Sequence, residues 1–184
     1  MTKLARILGV VMLLVLVTAS PALAARKQPD LQVPIRGTVT GETGVDPAAP
    51  DCDGGALWRF FSSGAGTISH LGRVDYHLTQ CSYPSPEGTV FRGGTIAFTA
   101  ANGDTLVVAQ EGSSEIIGAF DGYTLDATWT VVGGSGRFAG ATGSGTLDGV
   151  GDIPSDDTLF GLPEGGVRIG FAGGIAYDAS ARAR

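Results

Sequence analysis

Apolar residues alternate with polar ones along most of the chain after residue 24, and this period of two constrains the fold more than any other feature. Segment 123–131 is the clearest case. Its polar side carries threonines and one aspartate, and its other side carries Tyr123, Leu125, Ala127, Trp129 and Val131. Such alternation predicts a β-strand that buries one face.

Similar runs recur along the chain, separated by Gly, Asn, Asp or Pro, with no helical period after residue 24. The dipeptide Asn102-Gly103 predicts a hairpin turn, because it tolerates positive φ angles. Strands without crossover helices indicate an antiparallel meander, and closure removes its exposed edges. We therefore predict an all-β fold, a closed antiparallel β-barrel of about eight strands. The strands are expected at 33–40, 56–61, 67–79 (bent at Gly72), 95–100, 105–110, 123–131, 146–150 and 167–177.

Residues 1–24 have the features of a signal peptide. Lys3 and Arg6 precede an apolar run at 7–17, and Ala22-Leu23-Ala24 supplies the small-x-small cleavage pattern. The run is shorter than the ~20 residues that a bilayer-spanning helix needs, although an uncleaved anchor stays open as an alternative. The sequence therefore predicts a secreted or cell-envelope protein with one barrel domain, 25–184, in which 25–31 and 179–184 are mobile.

Two cysteines, Cys52 and Cys81, are the only ones in the chain. In an exported protein an even pair predicts a disulfide. Two free thiols or a metal pair are the alternatives, but no further ligands stand at zinc-like spacing.

The charge balance argues against two classes of partner. The chain has 12 Lys+Arg against 18 Asp+Glu, and Lys27 is the only lysine beyond the predicted signal peptide. Nucleic acids and anionic membrane surfaces require a clustered cationic surface. We expect neither as a partner of the mature chain, and the sequence leaves its oligomeric state open.

The segment GGSGRFAGATGSG, residues 133–145, could be mistaken for a phosphate-binding loop. A phosphate-binding loop must lead directly into the N-terminus of a helix, whereas the residues that follow this segment are poor helix formers. We therefore predict a strand connection, in which Phe138 enters the core and a glycine takes a positive φ, with Gly134 or Gly136 the expected position. Its structural residues are Gly133, Gly134, Gly136, Phe138 and Gly140.

This same segment carries a family resemblance. TLDATWTVVGGSGRFAGATGSGTLDG looks like the GG-[ST]-G-x-F-x-x-A/V-x-G segment of plant allene oxide cyclases and dirigent proteins. The preceding GGTIAFTAANGDTLVVAQEG is similar to their hairpin, and residues 69–73 are similar to pieces of secreted bacterial relatives. The resemblance covers roughly 55–177 and implies an eight-stranded antiparallel barrel. It carries no catalytic residue over to this chain.

A ligand site inside the barrel is the sharper of two interpretations of the aromatic residues, the other being a filled core. By strand parity His70 falls on the apolar face with Tyr76, and His77 falls on the polar face with Arg73 and Asp75. The predicted ligand-binding residues are His70, Tyr76, Trp58 and Trp129, with His70 as polar anchor.

No metal or cofactor site is predicted. The acidic residues around Cys52 lack the spacing of a calcium loop, and the acidic loop with Asp152, Asp156 and Asp157 is expected to be solvated, with weak calcium binding as the alternative. We thus expect a non-catalytic barrel that binds a small apolar ligand. The rival interpretations are an isomerase or cyclase resembling the plant cyclases, and a structural or partner-binding module with a packed interior.

Overall fold

The computed structural model describes residues 32–48, 51–118, 121–152 and 165–179. Eight antiparallel strands form a closed barrel in which each strand pairs with the next and β8 pairs with β1. The predicted fold class is confirmed. The strands are β1 (Val33–Asp46), β2 (Trp58–Ile68), β3 (Gly72–Ser85), β4 (Gly88–Ala100), β5 (Thr105–Ile117), β6 (Gly122–Gly134), β7 (Thr142–Asp152) and β8 (Gly165–Ala176).

Several predictions concern residues outside the described ranges: the signal peptide, segment 25–31, most of the C-terminal tail, and Asp156 and Asp157. In the part that is described, no helix has the length and apolar character needed to cross a membrane. A single 3-10 turn, Gly136–Phe138, is the helical element of these ranges.

The strands are strongly staggered around the barrel. A row of paired residues that leaves β3 at Asp75 passes through each of the seven remaining strands in turn and returns to β3 at Ser85, ten residues further along. This stagger tilts the strands, and an eight-stranded barrel has room inside for side chains or for one small ligand.

The two ends of the barrel differ. The turns at 69–71, 101–104 and 135–141 lie at one end, which we call the plug end because Phe138 fills it. The loop after β1 and the turn at 86–87 lie at the other, which we call the disulfide end. Apolar residues such as Ile35, Ile68 and Leu106 fill the interior towards the plug end.

Inward-facing glycines make room for aromatic rings. A Cβ atom at Gly145 or Gly173 would lie 2.6 or 2.5 Å from Cζ2 of Trp129, so this indole lies across β7 and β8. A Cβ at Gly41 would lie 2.5 Å from the Tyr76 hydroxyl, and one at Gly151 would collide with the Tyr123 ring. The aromatic rings of one wall therefore occupy space that the glycines of another leave open.

The segment 133–145 is a strand connection, as predicted. Gly133 and Gly134 end β6, and Phe138 is 0 % exposed. Positive φ angles occur at Gly136 (58°) and Gly140 (72°) but not at Gly134. The turn thus bends at glycine and delivers one ring into the core.

An ion pair fastens this turn to the β4–β5 hairpin. Nε of Arg137 donates to a carboxylate oxygen of Asp104 at 2.6 Å, and Nδ2 of Asn102 donates to the same oxygen at 2.8 Å. These hydrogen bonds, the one from Arg137 first, lower the pKa of Asp104 below its ordinary value. The predicted hairpin turn at Asn102-Gly103 is present, with Gly103 at φ 85°.

Cys52 and Cys81 form a disulfide, as predicted, and it joins the loop after β1 to β3. Arg59 holds the same loop through ion pairs with Asp46 at 3.1 Å and Asp51 at 2.8 Å. The loop is therefore fixed to the outside of the barrel at two points.

Candidate ligand site inside the barrel

His70 does not lie inside the barrel, so its predicted placement is wrong. Residues 67–79 are not one bent strand: a turn separates β2 from β3, with His70 at φ 69° and Gly72 at φ 77°. Counting alternate residues across a chain reversal assigns the wrong face. His70 is exposed at the plug end, where Nε2 lies 3.0 Å from the Pro34 carbonyl oxygen and Nδ1 lies 3.1 Å from the Tyr177 hydroxyl.

Trp129 is buried in the core with its polar atom already used. Its Nε1 donates to the carbonyl oxygens of Thr146 at 3.0 Å and Ala172 at 3.2 Å. Its indole stacks on Phe171, with ring centroids 4.3 Å apart. Trp58 is half-buried at the start of β2, at the disulfide end. The structure therefore does not bring His70, Trp58 and Trp129 together around one space.

Tyr76, the fourth predicted residue, belongs to a polar group inside the barrel. It is buried on β3, and its parity with Val74 and Leu78 is as predicted. Buried polar side chains of four other strands, β1, β2, β5 and β6, also face the barrel interior. This polar layer consists of Thr43, Ser62, Tyr76, Gln80, Ser82, Gln110 and Tyr123.

The two tyrosines of the polar layer lie on one row of paired residues. From Tyr76 the row crosses β2, β1, β8 and β7 to reach Tyr123, and three of its four intervening residues are Gly64, Gly41 and Gly151. The Tyr76 hydroxyl lies over Gly41, and the Tyr123 ring lies over Gly151. The hydroxyl groups are thereby directed towards the same stretch of wall.

The hydrogen bonds around Tyr76 are complete. Ser62 Oγ donates to the Glu42 carbonyl oxygen at 2.9 Å and lies 2.7 Å from the Tyr76 hydroxyl. Because Ser62 has one hydroxyl proton and donates it to Glu42, Tyr76 is the donor to Ser62. Thr43 Oγ1 donates to the Gly165 carbonyl oxygen at 3.2 Å in the same region.

The hydroxyl of Tyr123 is different. The side chain is buried, 9 % exposed, and its oxygen has no hydrogen-bond partner of standard geometry among the described residues. Its ring contacts Phe60 edge to face, with centroids 6.2 Å apart. A buried hydroxyl without a partner costs about 1–3 kcal/mol, so this group calls for a hydrogen-bonding partner.

Burial sets the protonation state of both phenols. It raises the pKa of Tyr123 to about 12, an effect that the Thr43 hydroxyl moderates and the charges of Tyr76 and Asp152 reinforce. Burial also raises the pKa of Tyr76, against the hydrogen bond to Ser62. Both tyrosines are therefore neutral hydrogen-bond donors at ordinary pH rather than proton acceptors.

Exposed aliphatic residues surround the disulfide end. Leu57 precedes β2, and Ile116 and Ile117 end β5; all three side chains are more than 40 % exposed. An apolar molecule approaching the polar layer from this end would meet these side chains first. Alternation along β5 would place only one of Ile116 and Ile117 on the exposed face, so it does not predict this exposed apolar group.

A shallow trough of about 740 Å³ crosses the outer wall over β1, β2, β7 and β8, between Arg36 and Asp148. It is open to solvent and separate from the barrel interior. Among the described residues, no three His, Cys, Asp or Glu side chains are grouped as metal ligands would be.

Comparison with protein-family models, with curated proteins and with solved structures finds no match to the chain. The resemblance to allene oxide cyclases and dirigent proteins thus stays a prediction. The geometry of the interior is the basis for inferring function.

Proposed function

We propose that the protein is a secreted, non-catalytic barrel that binds a small, largely apolar molecule through one hydrogen-bond acceptor. The observation that carries this proposal is the Tyr123 hydroxyl, a buried neutral donor to which no described residue offers a hydrogen-bond partner of standard geometry. Ligand sites commonly combine apolar walls with a few placed polar groups. Here Phe60 and Leu125 would contact the apolar body, and Tyr123 would donate to the acceptor.

Secretion is supported by the disulfide between Cys52 and Cys81, because such bonds persist in oxidising compartments. It is also supported by the signal-like sequence at 1–24.

Binding is favoured over catalysis by the chemistry of the polar layer. General acid–base catalysis works best with groups whose pKa lies near the working pH. The polar layer instead presents threonine, serine and glutamine side chains, with two phenols whose pKa values are raised. The interpretation as an isomerase or cyclase has no comparable support.

The test compares two ligands of one shape. An eight-carbon methyl ketone and its hydrocarbon isostere, in which a methylene group replaces the carbonyl oxygen, are titrated by displacement of a neutral fluorescent probe. A hydrogen bond worth about 1 kcal/mol should make the ketone bind about fivefold more tightly. Tyr123→Phe should abolish that preference and keep hydrocarbon binding.

Tyr83→Phe is the matched control, because Tyr83 contacts Arg92 through its ring and lies outside the polar layer. It should keep the ketone preference. If Tyr123→Phe keeps the preference as well, Tyr123 is not the donor. If neither ligand binds, the barrel is the packed structural module. The buried Trp129 ring, which fills the space left by Gly145 and Gly173, favours that interpretation.

A further inference from the structure

A second buried polar atom in the polar layer, Oε1 of Gln110, has no hydrogen-bond partner among the described residues. Gln110 is 4 % exposed, and its Nε2 donates to Oε1 of Gln80 at 2.7 Å. Its own Oε1 is buried and accepts no hydrogen bond from any described residue. Because an amide oxygen can only accept, this atom requires an N–H or O–H donor.

An irregularity of β4 makes the space for this glutamine pair. The pairing of β4 with β5 shifts between Phe91 and Gly94, and Gly93 has a φ of 62°. A Cβ at Gly94 would lie 2.8 Å from Cγ of Gln110 and 3.1 Å from Cβ of Gln80. Bulges are enriched beside functional sites, where they redirect side chains. The bulge and the glycine together hold Gln110 in the barrel interior.

Gln110 and Tyr123 are well separated. Gln110 pairs with Trp129 on β6, and Trp129 and Tyr123 are six positions apart along β6, about 20 Å of strand. A molecule that reaches both side chains therefore has its two polar groups far apart rather than on adjacent carbons.

The nature of the donor also follows from the surroundings. An ammonium group would be buried among the neutral side chains of the polar layer without a counter-charge, which is unfavourable. A carboxylate would bring negative charge against the Gln110 oxygen. A neutral hydroxyl or amide N–H has neither disadvantage.

We infer that the ligand is an elongated neutral molecule with a hydrogen-bond acceptor at one end and a hydroxyl or amide N–H at the other, and that Gln110 Oε1 accepts from the latter. This inference rests on the ligand site proposed above, and it makes Gln110 a specificity-determining residue.

The test adds a hydroxyl group to the ligand at either of two positions. A twelve-carbon methyl ketone is used here, because its extended chain and two hydrogen bonds together reach about 20 Å. It is compared with the same ketone carrying a hydroxyl at the far end of the chain, and with the isomer carrying it beside the carbonyl. The far-end hydroxyl should tighten binding about fivefold, and the isomer should not. Gln110→Met keeps the length of the side chain without the acceptor. It should remove the fivefold gain, so that the variant binds the hydroxylated and the plain ketone equally.

Gln32→Met is the matched control, because Gln32 is exposed outside the barrel, and it should keep the gain. Should Gln110→Met fail to fold, the side-chain amide signals of ¹⁵N-glutamine-labelled protein give a second measurement. The far-end hydroxyl should shift the Gln110 signal more than the plain ketone does.

The two proposals fail differently. Equal binding of all three ketones, or a gain that survives Gln110→Met, overturns the role of Gln110 alone. Absence of binding by any ketone overturns the ligand site and this inference with it.

Discussion

Replacing Phe138 with alanine removes the ring that fills the plug end of the barrel. The ring is 0 % exposed and lies 5.0 Å from the Tyr177 ring, centroid to centroid, with the Arg137 guanidinium 5.4 Å from its centroid. Core Phe→Ala substitutions lose both the transfer free energy of the ring and the contacts around the cavity that remains. The closed strands on every side leave the site little freedom to collapse, so the full penalty is expected.

We expect the free energy of unfolding to fall by about 3–5 kcal/mol. For a domain of this size, each kcal/mol lowers Tm by about 2–4 °C, so the melting temperature should fall by about 6–20 °C. Phe138→Leu should lose less than half as much, because it retains most of the buried apolar groups.

The assay is urea denaturation of the oxidised protein, followed by tryptophan fluorescence, with thermal melts alongside. Phe61→Ala is the matched control: Phe61 faces outward and is half-exposed, so its loss should cost only about 1 kcal/mol. If Phe138→Ala costs no more than Phe61→Ala, the 3-10 turn is not a plug and the description of this end is wrong.

Three further predictions concern backbone strain and protonation. Gly136 and Gly140 both have positive φ, so replacing either with alanine strains the backbone, by roughly 1 kcal/mol at Gly140. Gly136→Ala should cost more, because the new Cβ would also collide with Asp104, and paired thermal melts of the two variants check this. Because the pKa of Asp104 is lower in the folded protein than its unfolded value of 3.8, the carboxylate stabilises the fold above pH 3.8, and this stabilisation is lost as the pH falls through the folded pKa. Asp104→Asn should therefore make the free energy of unfolding depend less steeply on pH in acid. In alkaline absorbance titrations of the folded protein, Tyr123 should ionise near pH 12 rather than 10, and the stability it contributes should be lost as pH rises from 10 to 12.

Alternation alone predicts most of the fold, since faces can be read wherever a strand is regular. Tyr123, Leu125 and Trp129 are buried as their parity requires, and so is Tyr76 after the turn. Parity fails at His70 because the chain reverses there. The sequence signal for this turn was weak. It consists of Gly72 and of His70 two residues earlier, since histidine adopts left-handed backbone angles more readily than most residues.

The sequence carries a signal for the polar layer in its two inward-facing glutamines. Gln80 follows Val74, Tyr76 and Leu78 at alternate positions, and Gln110 follows Leu106 and Val108, so each glutamine occupies an inward position of an otherwise apolar face. A polar residue in such a position must find a partner or serve a ligand.

Which polar residues meet could not be predicted in this way. The row that joins Tyr76 to Tyr123 depends on the stagger of the closed barrel, which arises from all eight strand pairings together. Likewise, the pairing of Gln80 with Gln110 depends on the bulge in β4 that lies between them.

The central claim, that the polar layer binds a ligand through Tyr123, is tested most directly by NMR of the four tyrosines labelled with ¹³C at Cζ. Two of them, Tyr76 and Tyr123, lie in the polar layer, whereas Tyr83 contacts Arg92 and Tyr177 lies at the plug end. Titration with the methyl ketone should shift the Tyr123 signal most and the Tyr76 signal less, saturably, and leave the other two in place. An unmoved Tyr123 signal at saturating ketone, or a larger shift at Tyr177 than at Tyr123, would contradict the account.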